Sequence, residues 1–374
     1  MKTRVVKVLY PLTLLFMCAV SHAGEPLIIA EGVGQDAPKQ PQAAIAADGT
    51  VHLVYGAGQA VYHCRSVDGG ASFSVPVRAL QTANMSLGMR RGPRVAVGKN
   101  NLVISAIGGA QGKGRDGDIL AWRSADNGQS WQGPTRVNDV PDSAREGLHA
   151  MTASVDGTVW CVWLDLRSKR TELYAAHSTD GGATWSDNQL VYRSPDGSIC
   201  ECCHPSIATH GTAVHVLFRN SLAGNRDMYL VSSEDGRRFG EARQLGTEHW
   251  PLKACPMDGG MLTVKGDGTV ATAWRRGGLV YATDMSSPDE ALLGRGEQPW
   301  IASTLSESFA VWTASRDGEL FVKSSSAAEP RSLARMARDP FIVTSPSGGG
   351  PVLVCWESKQ GEAIAIHAAT ITPR

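Results

Sequence analysis

Ser178-Thr179-Asp180-Gly181-Gly182-Ala183-Thr184-Trp185 packs a complete turn into eight residues. The Asp carboxylate accepts nearby backbone N–H groups, the glycines supply positive φ, and the closing Trp offers a ring to an adjacent sheet. The turn recurs as Ser66-Val67-Asp68-Gly69-Gly70-Ala71-Ser72-Phe73 and as Ser124-Ala125-Asp126-Asn127-Gly128-Gln129-Ser130-Trp131. A shorter copy is Ser233-Glu234-Asp235-Gly236-Arg237-Arg238-Phe239, and successive copies start 58, 54 and 55 residues apart. A period near 50 with strand-like flanks means one small sheet per repeat.

Extending that period over the chain gives seven units. Their second strands are Val51 to Tyr55, Leu102 to Ile107, Val159 to Trp163, Ala213 to Phe218, Val270 to Trp274, Phe309 to Trp312 and Val352 to Trp356. All but Leu102 to Ile107 end in an aromatic residue. A third strand precedes each turn and a short fourth follows, as in Val77 to Leu80 or Gln189 to Tyr192. The seventh unit ends before a fourth strand, and the apolar Pro26 to Ala30 is predicted to supply it, closing the ring and removing exposed edges.

The turns resemble the Asp boxes of BNR repeats in the sialidase superfamily of β-propellers. That resemblance covers nearly all of residues 24–374 and implies an all-β propeller of four-stranded blades in a single domain. Characterised sialidases have six blades, which stands as the alternative to seven. Residues 1–23 read separately: Lys2, Arg4 and Lys7, an apolar run, then Ser21-His22-Ala23, the pattern of a cleaved export signal. A periplasmic or secreted protein with no membrane span is expected. Formal charge is 36 basic against 36 acidic residues, and removing the three basic leader residues leaves a slight acidic excess. Nucleic acid is therefore a poor partner.

If each first strand descends from the top of the ring, the links between units and between second and third strands lie on top, with the Asp boxes beneath. The upper loops then hold Arg91, Arg94, Arg115, Arg145, Glu146, His149, Asp165, Arg167, Arg219, Arg226, Arg275 and Arg276. Guanidinium forks bind carboxylates bidentately, so an acidic sugar or other glycan is the expected ligand, with Arg94, Arg167, Arg219, Arg226 and Arg275 as its contacts. Asp118, Glu172 and Asp227 recur at one position and read as hydrogen-bond partners within each unit.

The sialidase resemblance further implies an arginine triad, a Tyr nucleophile activated by Glu, and an Asp acid/base. The chain departs from it. Its tyrosines fall within strands, Gln40-Pro41-Gln42 stands where an Arg-Ile-Pro signature is expected, and Gly92-Pro93-Arg94 is the nearest substitute. Should a glycoside be cleaved, Asp165 or Glu146 is the candidate acid/base.

Cys200-Glu201-Cys202-Cys203-His204-Pro205 opens the fourth unit, and Cys255-Pro256-Met257-Asp258-Gly259 sits at the matching place in the fifth. The two segments resemble pairs in uncharacterised sialidase-like exported proteins, a resemblance that implies no role. Two chemistries fit them. One is a disulfide from Cys200 or Cys202 to Cys255. The other is a Cu(I) or Zn(II) site with Cys202, Cys203, His204 and Cys255 as ligands and Met257 nearby. No cofactor is required by the first reading. The functional classes left open are a glycan-binding or glycan-cleaving propeller, a metal- or thiol-handling protein, and a non-catalytic interaction scaffold. Cys64, Cys161 and Cys355 lie singly in strands and read as buried small apolar residues.

Overall fold

The computed structural model describes residues 25–284, 289–345 and 348–371; the export-signal segment lies outside them. The fold is all-β and propeller-like. Five four-stranded antiparallel sheets occupy residues 39–81, 94–136, 149–192, 206–244 and 261–295, each with its strands in chain order. A seven-stranded sheet takes in the strands from Glu297–Ser303 to Ala363–Ile371 and adds Leu27–Val33 at its edge. Its continuity comes from one long strand, Arg331–Val343. Residues before Ala337 pair with Gly318–Ser324, and those after it pair with Val352–Gln360. The seven predicted second strands are all present, extended by one to four residues. Leu27–Val33 pairs antiparallel with Ala363–Ile371, in a register running from Leu27 opposite Ala368 to Val33 opposite Ala363.

Each first strand packs against the first strand of the next sheet, from Lys39–Ile45 through Arg94–Val97 onward to Arg331–Val343, which in turn touches Lys39–Ile45. These strands line a central cavity of about 490 Å³. The core lies between sheets. Val54, Val61 and Leu80 of the first sheet pack with Val95, Ile104 and Trp122 of the second, and Val103 and Ile119 pack with Cys161 and Trp163 of the third. A sheet of four short strands has two apolar faces, so it needs a neighbour on each side to bury both.

The aromatic residues that end the second strands fill those layers in pairs. Tyr55 opposes Tyr62, Trp163 opposes Tyr174, Phe218 opposes Tyr229, and Trp274 opposes Tyr281. Trp312 opposes Phe321 and Trp356 opposes His367, with ring centroids 5.3 to 6.5 Å apart across the six pairs. The exception, Ile107, faces Ile119. Cross-strand ring pairs of this kind stabilise by roughly 0.2–1 kcal/mol each beyond an alanine pair.

The Asp boxes behave as local locks. Ser178 Oγ donates to Asp180 Oδ1 and accepts from Gly182 N, both at 2.8 Å. The second Asp180 oxygen accepts the Thr184 hydroxyl at 2.6 Å, and these bonds hold the carboxyl at about 2 despite the opposing cost of burial. The box rings enter the layer shared with the preceding sheet: Trp131 joins the first and second sheets, Trp185 the second and third, and Phe239 the third and fourth. Phe73, in the first sheet, packs instead on the cluster built mainly from the seven-stranded sheet. The fourth box lacks the hydroxyl residue, and its Ser233–Asp235 contact lengthens to 3.3 Å.

Replacing Ser178 with Ala leaves the Gly182 N–H without its partner and is expected to lower unfolding free energy by ~1–2 kcal/mol. Ser233→Ala should cost less than half of that. Denaturant midpoints of the two variants check the order, and equal losses would contradict the lock.

Candidate functional site

The links between sheets and the ends of the second strands gather at one end of the channel, while the Asp boxes lie at the other. Gly69 of the first box abuts Pro351, and Gly181 of the third abuts Asn101; both partners lie in or beside the links between first and second strands. The charged end has two zones, a sealed hub over the axis and a half-exposed rim beside the cysteine segments.

The hub rests on three strained residues, each preceding a proline at the entry of a first strand. Gln40, Gln298 and Asp339 have φ of 56°, 58° and 46°, and the strand register shifts at each. Such conformations cost on the order of 1–3 kcal/mol each and persist where surrounding bonds fix them. Here Glu357 Oε1 accepts from Gln40 N at 2.7 Å and from its Nε2 at 3.1 Å. Gln298 Nε2 donates to Asp339 Oδ1 at 2.8 Å, and Asp339 N donates back to Gln298 Oε1 at 2.9 Å. Arg90, from the link between the first and second sheets, reaches across the axis. It donates at 2.7 Å to both Pro340 O and Gln298 O and lies 5.0 Å over the Trp300 ring. Burial, reinforced by the neighbouring Asp339 carboxyl, pushes Glu357 up to about 8. None of these hub residues stood out in the sequence as a site residue. The Gln40-Pro41, Gln298-Pro299 and Asp339-Pro340 recurrence was the available signal.

The arginines expected to grip a ligand divide sharply. Arg94 is buried, and its guanidinium donates to four backbone carbonyls, those of His149, Gly92, Pro93 and Arg90, at 2.6–3.1 Å. Arg219 is 1% exposed and donates to Asp258 O, Arg226 O and Arg275 O at 3.1, 2.6 and 2.9 Å. Both therefore staple the chain at the upper end of the first strands. Arg167 forms a fork on Asp165 at 2.9 Å and pairs with Asp139 at 3.0 Å over the Tyr174 ring. Arg275 pairs with Glu297 at 2.9 Å and with Asp258 at 3.3 Å. Only Arg226 of the five has no side-chain hydrogen bond or ion pair among the described residues, and Arg145 shares that condition.

The candidate acids divide in the same way. Asp165 is fully buried; besides the Arg167 fork it accepts Trp163 Nε1 and Arg167 N, each at 2.8 Å. Four donors on two oxygens leave it no role as a proton carrier to a sugar. Glu146 is half-buried; burial raises its carboxyl above the usual range, against the attraction of Arg91 and with the repulsion of Glu201. Asp118, Glu172 and Asp227 act as within-unit partners: Asp118 accepts Asn138 Nδ2 at 2.6 Å, Glu172 binds Arg193, and Asp227 accepts Trp250 N at 2.8 Å. His149 is a buried partner of Ser105 Oγ at 2.8 Å.

The cysteine segments meet, with a different membership from the one expected. Cys200, Cys202 and Cys203 are buried together, with Cys200 Sγ 3.7 Å from Cys202 Sγ and 3.4 Å from Cys203 Sγ. Cys255 is exposed beside Cys202 and outside the group of three, and Met257 packs on the cluster. All seven described cysteines are free thiols. His204 turns away: its Nδ1 accepts Gly259 N at 3.3 Å, its Nε2 lies 3.2 Å from Met261 Sδ, and its ring stacks on Trp300. The expected disulfide to Cys255 is not formed, and Cys200 stands where His204 was expected. Burial pushes the Cys64 thiol up to about 12 and raises Cys161 and Cys355 further, as inert core groups.

The model of the BNR repeat-like domain family matches residues 95–291. No curated protein matches the chain. Among solved structures, an α-L-arabinanase of Penicillium chrysogenum complexed with arabinobiose is similar at 14% identity and a TM-score of 0.57, over 93% of this chain and 98% of that one. A GH93 α-L-arabinofuranosidase of Fusarium graminearum with arabinobiose is similar at 14% identity and 0.55, with the same coverage. The sialidase of Trypanosoma rangeli aligns at 12% identity and 0.51, over 89% of this chain and 54% of its own. At these identities the likeness establishes the fold.

Replacing Arg219 with Met leaves three carbonyls without their donor and is expected to cost ~2–4 kcal/mol of stability. Arg226→Met should change stability by under ~0.5 kcal/mol. Denaturant unfolding of both variants checks this division, and comparable effects would contradict it.

Proposed function

Because the chain belongs to the BNR repeat-like domain family, we propose that it is an exported, seven-bladed propeller, closed by Leu27–Val33, that binds an acidic glycan on the end opposite its Asp boxes. The ring reading is supported by the unbroken succession of first-strand contacts from Lys39–Ile45 back to itself. It is supported too by the long strand Arg331–Val343 serving two adjacent units. The ligand site is the rim around Arg226, Arg145 and Glu146. One observation carries this choice: among the arginines of that end considered above, Arg226 and Arg145 retain guanidinium donors that no neighbouring acid or carbonyl occupies. A carboxylate-bearing sugar can accept them, with charge-assisted hydrogen bonds stronger than those a neutral sugar forms.

The sugars named with the structural relatives, arabinobiose among them, make a glycan the natural ligand class for this fold, and the uncommitted arginines select its acidic members. Binding, with or without hydrolysis, is the function this geometry supports best. The six described tyrosines are packed in strands, as with Tyr55 on Tyr62 and Tyr174 beneath Arg167. Glu146 is the carboxyl of this rim suited to protonate a leaving group.

Calorimetric titration with 3′-sialyllactose, a digalacturonate and arabinobiose tests the reading. An acidic sugar should bind, and Arg226→Ala or Arg145→Ala should weaken it at least ~10-fold without shifting the unfolding midpoint. Release of free sugar during the titration, abolished by Glu146→Gln, would add hydrolysis to binding. Binding of arabinobiose alone, or full affinity in both arginine variants, would contradict the proposal.

A further inference from the structure

Cys200, Cys202 and Cys203 form the one group of three or more metal-ligating side chains among the described residues, with all three sulfurs within 4.8 Å of one another. They are held by the fold as well as by the turn that carries them. Ile199 N donates to Thr171 O and Cys200 N to Arg219 O, both at 3.0 Å, so the segment is tied to a loop of the third sheet and to the end of the second strand of the fourth. Arg219, in turn, is fixed by its three carbonyls. The buried surroundings of the sulfurs include the Met257 thioether, a further soft ligand atom.

The spacing suits a shared ion better than it suits paired sulfurs. A tetrahedral site with metal–sulfur bonds of about 2.3 Å separates adjacent sulfurs by about 3.8 Å, and the two contacts of Cys200 are 3.7 and 3.4 Å. Cys202 and Cys203 are sequence neighbours, whose Cα atoms stand about 3.8 Å apart, closer than an unstrained disulfide takes. Cys255 is exposed on the open side beside Cys202 and outside the close group of three sulfurs, so it is the sulfur that would close on an ion entering there. Each thiol that becomes a ligand releases its proton to solvent, leaving a cluster of net negative charge. Arg226 acts electrostatically on both Cys200 and Cys255 and has no other ion-pair partner among the described residues, so it offers the counter-charge.

We propose that Cys200, Cys202 and Cys203, completed by Cys255, form a thiolate site for a soft metal ion, Zn(II) or Cu(I). Soft sulfur ligands select these ions over the harder Mg(II), Ca(II) and Mn(II). The site lies at the junction of the third, fourth and fifth sheets, so a bound ion ties together the link between the third and fourth sheets and the link between the fourth and fifth. The sulfurs define this site without the glycan reading, and Arg226 is the one residue the two share.

Metal analysis and titration of the folded, reduced protein test the site, with a Zn(II) chelator and a Cu(I) chelator as separate competitors to decide which ion is held more tightly. One equivalent should bind. Co(II) offered to the wild-type protein should give the sulfur-to-metal charge-transfer absorption of a thiolate site. Cys200→Ser and Cys203→Ser should weaken binding by at least roughly 100-fold, beyond the loss typical of outer-shell changes, and Cys64→Ser should leave it intact. The cobalt spectrum decides the question even if a cysteine variant fails to fold. No binding by the reduced wild-type protein would overturn the proposal. So would recovery of the exported protein with Cys200–Cys203 and Cys202–Cys255 disulfides.

Discussion

Small four-stranded sheets cannot stand alone, and the rest of this structure follows from that limit. Each sheet is apolar on both faces, so each needs two neighbours, and a row of such sheets leaves two bare faces unless its ends meet. The aromatic pairs across second and third strands, such as Trp163 with Tyr174 and Trp312 with Phe321, are the wedges that fill the layers. The pairing of Leu27–Val33 with Ala363–Ile371 joins the two ends of the chain in one sheet. The packing of first strand on first strand brings the charged end together, although its residues come from links hundreds of positions apart.

Burial decides what those gathered charges can do. Guanidinium groups near the axis are desolvated, and a desolvated donor needs an acceptor. Arg90, Arg94 and Arg219 find theirs in backbone carbonyls that the first-strand entries leave exposed to the interior. That arrangement fixes the entry loops, whereas at the half-buried rim Arg226 and Arg145 have no side-chain hydrogen bond or ion pair among the described residues. The thiols sit at the boundary between the two regimes: three are inside the packed wall, and Cys255 lies outside it.

The strands were legible because their signals are local. The Asp box and the terminal aromatics each depend on residues a few positions apart, the period near 50 residues merely repeats them, and all seven second strands follow. The site was less legible because the commitments of its side chains are not local. Nothing around Arg219 in sequence shows that carbonyls of residues 226, 258 and 275 will surround it; Asp165 is the local exception, its oxygens taken by Trp163 and Arg167 two residues to either side. His204 follows Cys203 directly, yet the strand entry at Pro205 turns its ring toward the axis and Met261, while Cys200 folds back onto the other thiols. The boundary of the fourth-strand segments also blurred where Arg331–Val343 continues from one unit into the next, because Met336 and Asp339 take positive φ within the strand without ending it.

Closure through the first strand is the claim on which the arrangement of the charged end stands. Hydrogen exchange of the backbone amides in Leu27–Val33, read beside those of Ala363–Ile371, tests it most directly. The account predicts that amides bonded between these two strands are protected together and open together, as one cooperative unit. Exchange of Leu27–Val33 at the rate of an unstructured segment, while Ala363–Ile371 stays protected, would contradict it.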